Sequence, residues 1–181
     1  MSEIRNQEEL HILAVSALGS GSSNAYVEHL KRINDLFYDQ IKISDQKAAY
    51  IFTFMLAFLV SSSEGRQVFA MDRYDHGFSF GVLASAFLAL ASMFSIFCAI
   101  NVVLPRHVGK STSLFWGTWP QQRALFEQAA LSGDKDYLFQ QYMINADVLS
   151  FIATDKYRFV KFAFRGLLVT VLAYVVLQVA T

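Results

Sequence analysis

The chain is short of the residues that would staple it, clip a metal or carry out catalysis. Cys98 is the only cysteine in 181 residues, so no disulfide and no cysteine-based metal site can form within one copy. The four histidines, His11, His29, His76 and His107, are isolated, with no His pair and no helical zincin spacing. No glycine-rich phosphate loop is present, and Tyr157 beside Lys156 has no identifiable base, so the chain reads as a non-enzyme with no cofactor. Net charge is also absent, with 15 basic against 15 acidic residues, which excludes the basic footprint of a nucleic-acid binder. A content of 54% hydrophobic residues excludes a disordered tail.

Most telling is where charge is missing. No Asp, Glu, Lys or Arg lies between Lys47 and Glu64, between Asp75 and Arg106, or after Arg165, giving uncharged runs of 16, 30 and 16 residues. A bilayer core needs roughly 20 largely apolar residues per helix, and an uncharged stretch of ~18 or more is a transmembrane candidate. The middle run, GFSFGVLASAFLALASMFSIFCAINVVLP, meets that alone. The outer two are extended by Lys47 and Arg165, whose stems lie along apolar surface while their charges reach the headgroups. The expectation is an all-α membrane protein with three transmembrane helices at about 46–64, 79–104 and 161–180. Seventeen phenylalanines suit lipid-facing and interhelical surfaces alike.

Loop charges orient the spans. Arg5, Lys31, Arg32, Lys42 and Lys47 precede the first, only Arg66 and Arg73 lie between the first and second, and eight basic residues fall in 105–165. This predicts a cytoplasmic N-terminus and 105–160 region, with the 64–78 link and the C-terminus outside. MSEIRNQEEL lacks the basic start and apolar stretch of a cleavable signal, so the first span is expected to direct insertion.

Asn6 with Glu9 forms a capping-box pattern, and Leu10, Leu13, Ala14 and Leu18 follow at helical spacing, predicting a short helix before a flexible break at 19–24. Residues 1–22 are set apart on that basis from a single membrane domain over 23–181. Within that domain, 25–45 and 105–160 form the cytoplasmic part. Tyr26, Leu30, Ile33, Phe37, Gln40, Ser44, Lys47 and Ile51 fall on one stripe at steps of four and three, the seam of a packed helix running from about 25 to 64. Such a helix is roughly 60 Å long at 1.5 Å per residue, so its first half projects as a stalk. Residues 106–120 have no clean period and read as a loop after Pro105; a short helix starts at Pro120, and SGD at 132–134 ends it. Leu138, Tyr142, Asn145, Leu149, Ile152, Lys156, Phe159 and Ala163 repeat the stripe and lead into the third span.

Both stripes turn polar near the membrane, at Gln40, Ser44 and Lys47 on one and at Asn145 and Lys156 on the other. A buried unpaired ammonium is costly, so each lysine needs a partner: Asp45 or Asp155, a lipid phosphate, or a bound anion. Phe115, Trp116 and Trp119 offer flat faces beside Ser111, Thr112 and Ser113, suited to stacking a base or to an interfacial aromatic belt.

Three stretches carry a family resemblance. SDQKAAYIFTFMLAFL at 44–59 has a D-x-K-A block opening the first span, LPRHVGKSTSLFWG at 104–117 a proline followed by an aromatic block, and FIATDKYRFVKFAF at 151–164 a K-Y block entering the last span. Over roughly 25–180 the chain resembles the membrane effectors of Pycsar, a bacterial antiphage system in which a pyrimidine cyclase makes a cyclic mononucleotide that switches on an effector. The resemblance implies a multi-pass protein of the bacterial inner membrane that senses cyclic UMP or cyclic CMP and impairs the membrane, an abortive infection. The ligand-binding residues it suggests are Asp45, Lys47, Ser111, Phe115, Trp116, Asn145, Lys156 and Tyr157, with the cyclic phosphate bridging Lys47 and Lys156. Its implied partners are the nucleotide, membrane lipid, further copies of the chain and a cyclase acting through its product. The competing reading is a constitutive scaffold or small channel with a protein partner, its lysines serving as lipid anchors.

Overall fold

A computed structural model describes residues 20–75, 79–106 and 112–180; the expected helix at 6–18, together with Ser111, His11, His76 and His107, lies outside them. Five α-helices and one short 3-10 turn make up the described chain: α1 (Ser20–Ser61), α2 (Ser63–Gln67), the 3-10 turn (Met71–Tyr74), α3 (Phe80–Val103), α4 (Trp119–Ser132) and α5 (Lys135–Ala180). No strand occurs among the described residues. Three of these helices, α1, α3 and α5, are long and apolar enough to cross a membrane, as the charge-free runs predict.

Local chemistry sets the ends. From Ala25 to Ser61 no glycine or proline interrupts α1. The break expected at 19–24 is instead the start of α1, which begins at Ser20. In a first turn the backbone N–H groups have no intrahelical partner in any case, so residues of low helix propensity cost little there. Ser62 then caps α2, accepting a hydrogen bond from the Gly65 N–H at 2.8 Å. A Cβ on Gly65 would meet Ser62 Oγ at 2.4 Å, so this corner requires glycine. α3 opens on Ser79, whose hydroxyl accepts from Val82 N, and closes at Leu104, held extended by the following Pro105. α4 carries Pro120 in its first turn and ends at Gly133, in the left-handed region at φ 68°. Asp134 Oδ1 then accepts from the backbone of Asp136 and Tyr137, starting α5.

The chain divides into two compact units. One gathers the described parts of Met1–Tyr38 and Val108–Leu149, the other those of Asp39–His107 and Ser150–Thr181. In the first, Leu30, Ala129, Ala146 and Leu149 are buried, with Asn34, Thr112 and Asn145 among them.

In the second unit, α3 and later α5 pack in successive layers with later α1 and, in the last layer, with Val68 just after α2: Ala48 with Val102 and Val160; Ile51 and Met55 with Cys98, Ala99 and Ala163; Val68 with Leu88, Ala173 and Leu177. The α3 numbers fall as those of α1 and α5 rise, so α3 runs antiparallel to both. Its inward line, Ser85, Leu88, Ser92, Ser95, Ala99 and Val102, is made mostly of small residues. Lipid is as apolar as leucine, so helices associate there by close packing and hydrogen bonds, which small residues allow. Ser95 Oγ donates to Ala163 O at 2.8 Å, and a Cβ on Gly166 would meet Ser95 Cβ at 2.9 Å. Outward, Leu90, Phe97, Leu172 and Val175 are exposed, a surface that a hydrocarbon environment would cover.

Candidate functional site

On α1 the buried row of the second unit is Ser44, Ala48, Ile51 and Met55; on α5 it is Ala153, Lys156, Val160 and Ala163. Lys156 is therefore the one long cation on an otherwise small, apolar row, as its spacing predicts. Lys47 is not its counterpart on the seam: it is exposed, and Ala48, with no exposed surface, takes the place. Steps of three and four from Ser44 to Ile51 fit through either residue. Burying an unpaired ammonium costs several kcal/mol while a methyl costs nothing, so Ala48 turns inward.

The cation of Lys156 is met from within. Its Nζ donates to Asp45 Oδ1 at 2.5 Å, with 7% of the lysine side chain exposed against 36% of the aspartate's. The carboxylate on the neighbouring helix is one of the partners the sequence leaves open for this lysine. Asp155, the other candidate, pairs with Arg106, whose guanidinium also lies 5.2 Å from the centre of the Phe159 ring. Outside the Asp45–Lys156 pair sits an exposed layer: Lys47 Nζ stands 5.4 Å from the centre of the Tyr157 ring, and Tyr157 Oη donates to Gln40 Oε1 at 2.6 Å. Asp45, Lys47, Lys156 and Tyr157 are thus gathered at one end of this unit. Gln40 and Arg106 join them. Gln40 was visible as a polar residue on the stripe; no signal in the spacing pairs Arg106 with Asp155.

Phe115, Trp116 and Asn145 belong to the other unit. Asn145 Nδ2 donates to Asn34 Oδ1 at 2.7 Å, and Asn34 Nδ2 donates to Tyr142 O at 3.1 Å and Leu30 O at 2.8 Å. Thr112 Oγ1 reaches Asn145 Oδ1 at 3.4 Å, so a buried network inside the protein occupies the Asn145 amide. Phe115 and Trp116 lie on the turn after Thr112, which is tied down by Thr118 Oγ1 donating to Thr112 O at 2.7 Å and by Ser113 N donating to Gln141 Oε1 at 2.8 Å. Their rings are 5.6 Å apart at 46°, and Trp116 is 84% exposed, leaving a flat apolar face open. A Cβ on Gly117 would lie 2.7 Å from the Phe115 ring, so glycine lets that ring fold back. Among the described residues no group of His, Cys, Asp and Glu converges as a metal would require.

An all-helical chain with three membrane-crossing helices and a cluster of charges at one end of the packed spans defines a small multi-pass membrane protein. The model of the Pycsar effector protein domain matches residues 29–181, and the chain belongs to that family. It is therefore an antiphage defence effector, of a non-enzymatic effector class and linked to a cyclic nucleotide cyclase system. No curated protein and no solved structure is recognisably similar to it.

Proposed function

We propose that the chain senses a cyclic pyrimidine mononucleotide, cyclic UMP or cyclic CMP, and on binding it impairs the bacterial inner membrane. The observation that carries this reading is a cation held in reserve: Lys156 is buried, yet its one anion among the described residues is the partly exposed Asp45. A cyclic phosphate carries one negative charge and is a chemical match for that carboxylate. In the proposed exchange it takes the place of Asp45 at Lys156 and draws Lys47 off the Tyr157 ring. The ring is then open for a base, and the released Asp45 accepts from a ribose or base donor. Ligand shifts the protein only by its differential affinity for the open and closed pair, so the Asp45–Lys156 contact sets the threshold. Trp116, supported by Phe115, is a second candidate stacking face, to which Ser111 and Asn145 are assigned as supporting residues; a Trp116→Ala variant separates it from Tyr157.

Calorimetry of the detergent-solubilised chain with each nucleotide tests the reading. Binding heat is expected for at least one, and Lys47→Ala, which removes an exposed side chain, should abolish it without changing the melting temperature. No heat from either nucleotide with folded protein sinks the proposal. The N-terminus is assigned to the cytoplasm and the C-terminus to the periplasm, which a phosphatase reporter fused after Thr181 checks: it should be active, and an inactive fusion of normal abundance reverses the orientation. The closed Asp45–Lys156 pair also favours a second reading, a constitutive scaffold with a protein partner, which expects normal insertion and no response to nucleotide.

A further inference from the structure

Arg106 is the first charge after 30 uncharged residues, directly past the end of α3. It lines a polar recess of about 570 Å3 together with Leu104, Asp155, Arg158, Phe159 and Phe162. Both arginines are braced on aromatic rings, Arg106 on Phe159 at 5.2 Å and Arg158 on Phe162 at 6.0 Å. Two guanidiniums against the one carboxylate of Asp155 leave a net positive charge. Arg106 is not saturated by that carboxylate: its Nε is buried without a hydrogen-bond partner among the described residues. A second hollow of about 460 Å3, between α1 and α3, is lined only by apolar residues, Phe52, Ala99, Ile100 and Val103 among them. Leu104 lines both, so the cationic recess and the apolar groove adjoin at that residue.

We propose that this pair of hollows binds an anionic phospholipid, its headgroup phosphate on Arg106 and Arg158 and one acyl chain along the groove past Leu104 and Phe52. A planar guanidinium matches phosphate through two parallel hydrogen bonds, and basic pockets between membrane helices are suited to anionic headgroups. The position explains the composition. A phosphate sits where the uncharged span gives way to its first cation, and hydrocarbon lies on the span side of it. The assignment depends on the membrane spans and not on nucleotide sensing, so either can fail alone.

Native mass spectrometry tests it on the full chain released from nanodiscs of equal parts phosphatidylglycerol and phosphatidylcholine. The protein should retain phosphatidylglycerol in preference, and the double variant Arg106→Gln with Arg158→Gln should lower that preference by roughly thirtyfold. Asp155→Asn, which removes the competing carboxylate, should raise it by about fivefold, a gain that cannot come from misfolding. Equal retention of the two lipids, or an unchanged preference in the double variant, overturns the proposal. So does displacement of bound phosphatidylglycerol by sn-glycerol 3-phosphate or cyclic UMP at equal concentration, which would make the recess a site for a soluble phosphate.

Discussion

Asp45 and Lys156 hold unequal shares of their bond. The aspartate keeps 36% of its side chain in contact with its surroundings and the lysine 7%, so only one of the two stays solvated when the other is removed. Asp45→Asn leaves a buried ammonium with a neutral neighbour and is expected to cost about 3–5 kcal/mol. Lys156→Met leaves a carboxylate that water can reach, replaces a cation by an apolar side chain on an apolar row, and should cost ~1 kcal/mol or less. Titrating both variants with denaturing detergent and following helicity checks the order; equal losses would mean that the lysine is not buried in solution. At this scale the sequence picked out Asn145 and Lys156 as polar residues on a buried stripe, because a lysine or asparagine on a hydrophobic stripe stands out, and it misplaced Lys47. For Lys156 it left Asp45 among several possible partners, and for Asn145 it named none. Asn145 is matched by Asn34, which sits one position beyond the predicted stripe residue Ile33, and nothing in a one-helix pattern tells which residue faces it across the gap.

Among the elements, α3 and α5 approach closely where Gly166 meets Ser95. A valine at 166 would drive its Cβ against Ser95, whose Cα would stand 3.0 Å away, and backbone cannot yield as a flexible side chain would. Gly166→Val should therefore cost about 1–3 kcal/mol and weaken the Ser95 to Ala163 hydrogen bond, readable as an earlier unfolding midpoint in the same detergent titration. Partial recovery of the midpoint by a second change, Ser95→Gly, which removes the Cβ contact but keeps the Cα and loses the hydrogen bond to Ala163, would identify the clash as the cause. The elements themselves were largely legible: the long uncharged runs give the spans, Pro105 and Gly133 give two of the stops, and Asn145, Leu149, Lys156 and Ala163 fall inward at the predicted spacing. Register was legible only to within one residue. Lys47 and Ala48 both satisfy the spacing, and energetics, not periodicity, chooses between them. The order in which α3 runs past α5, which brings Arg106 to Asp155, is set by packing of small residues in three dimensions and leaves no trace in either helix alone.

For the molecule as a whole, the central seam of the membrane unit is closely packed among the described residues. Met55, Leu88, Val102 and Leu177 have no exposed surface, and the hydroxyls of Ser85, Ser92 and Ser95 are spent on the carbonyls of Gly81, Leu88 and Ala163. An ion needs a wet path with groups to replace its hydration shell, and a seam of this kind offers neither. Among the described residues this seam shows no such path, so under the proposed function a leak arises where copies meet one another or the lipid. Dye release from vesicles should then rise with a power of the protein-to-lipid ratio greater than one at saturating nucleotide; a strictly linear rise would show that a single copy suffices. Under the proposed function, the dry seam turns a question of switching into one of stoichiometry: an activated population would be harmless below some surface density, and expression level, as much as the nucleotide, would decide which cells are lost.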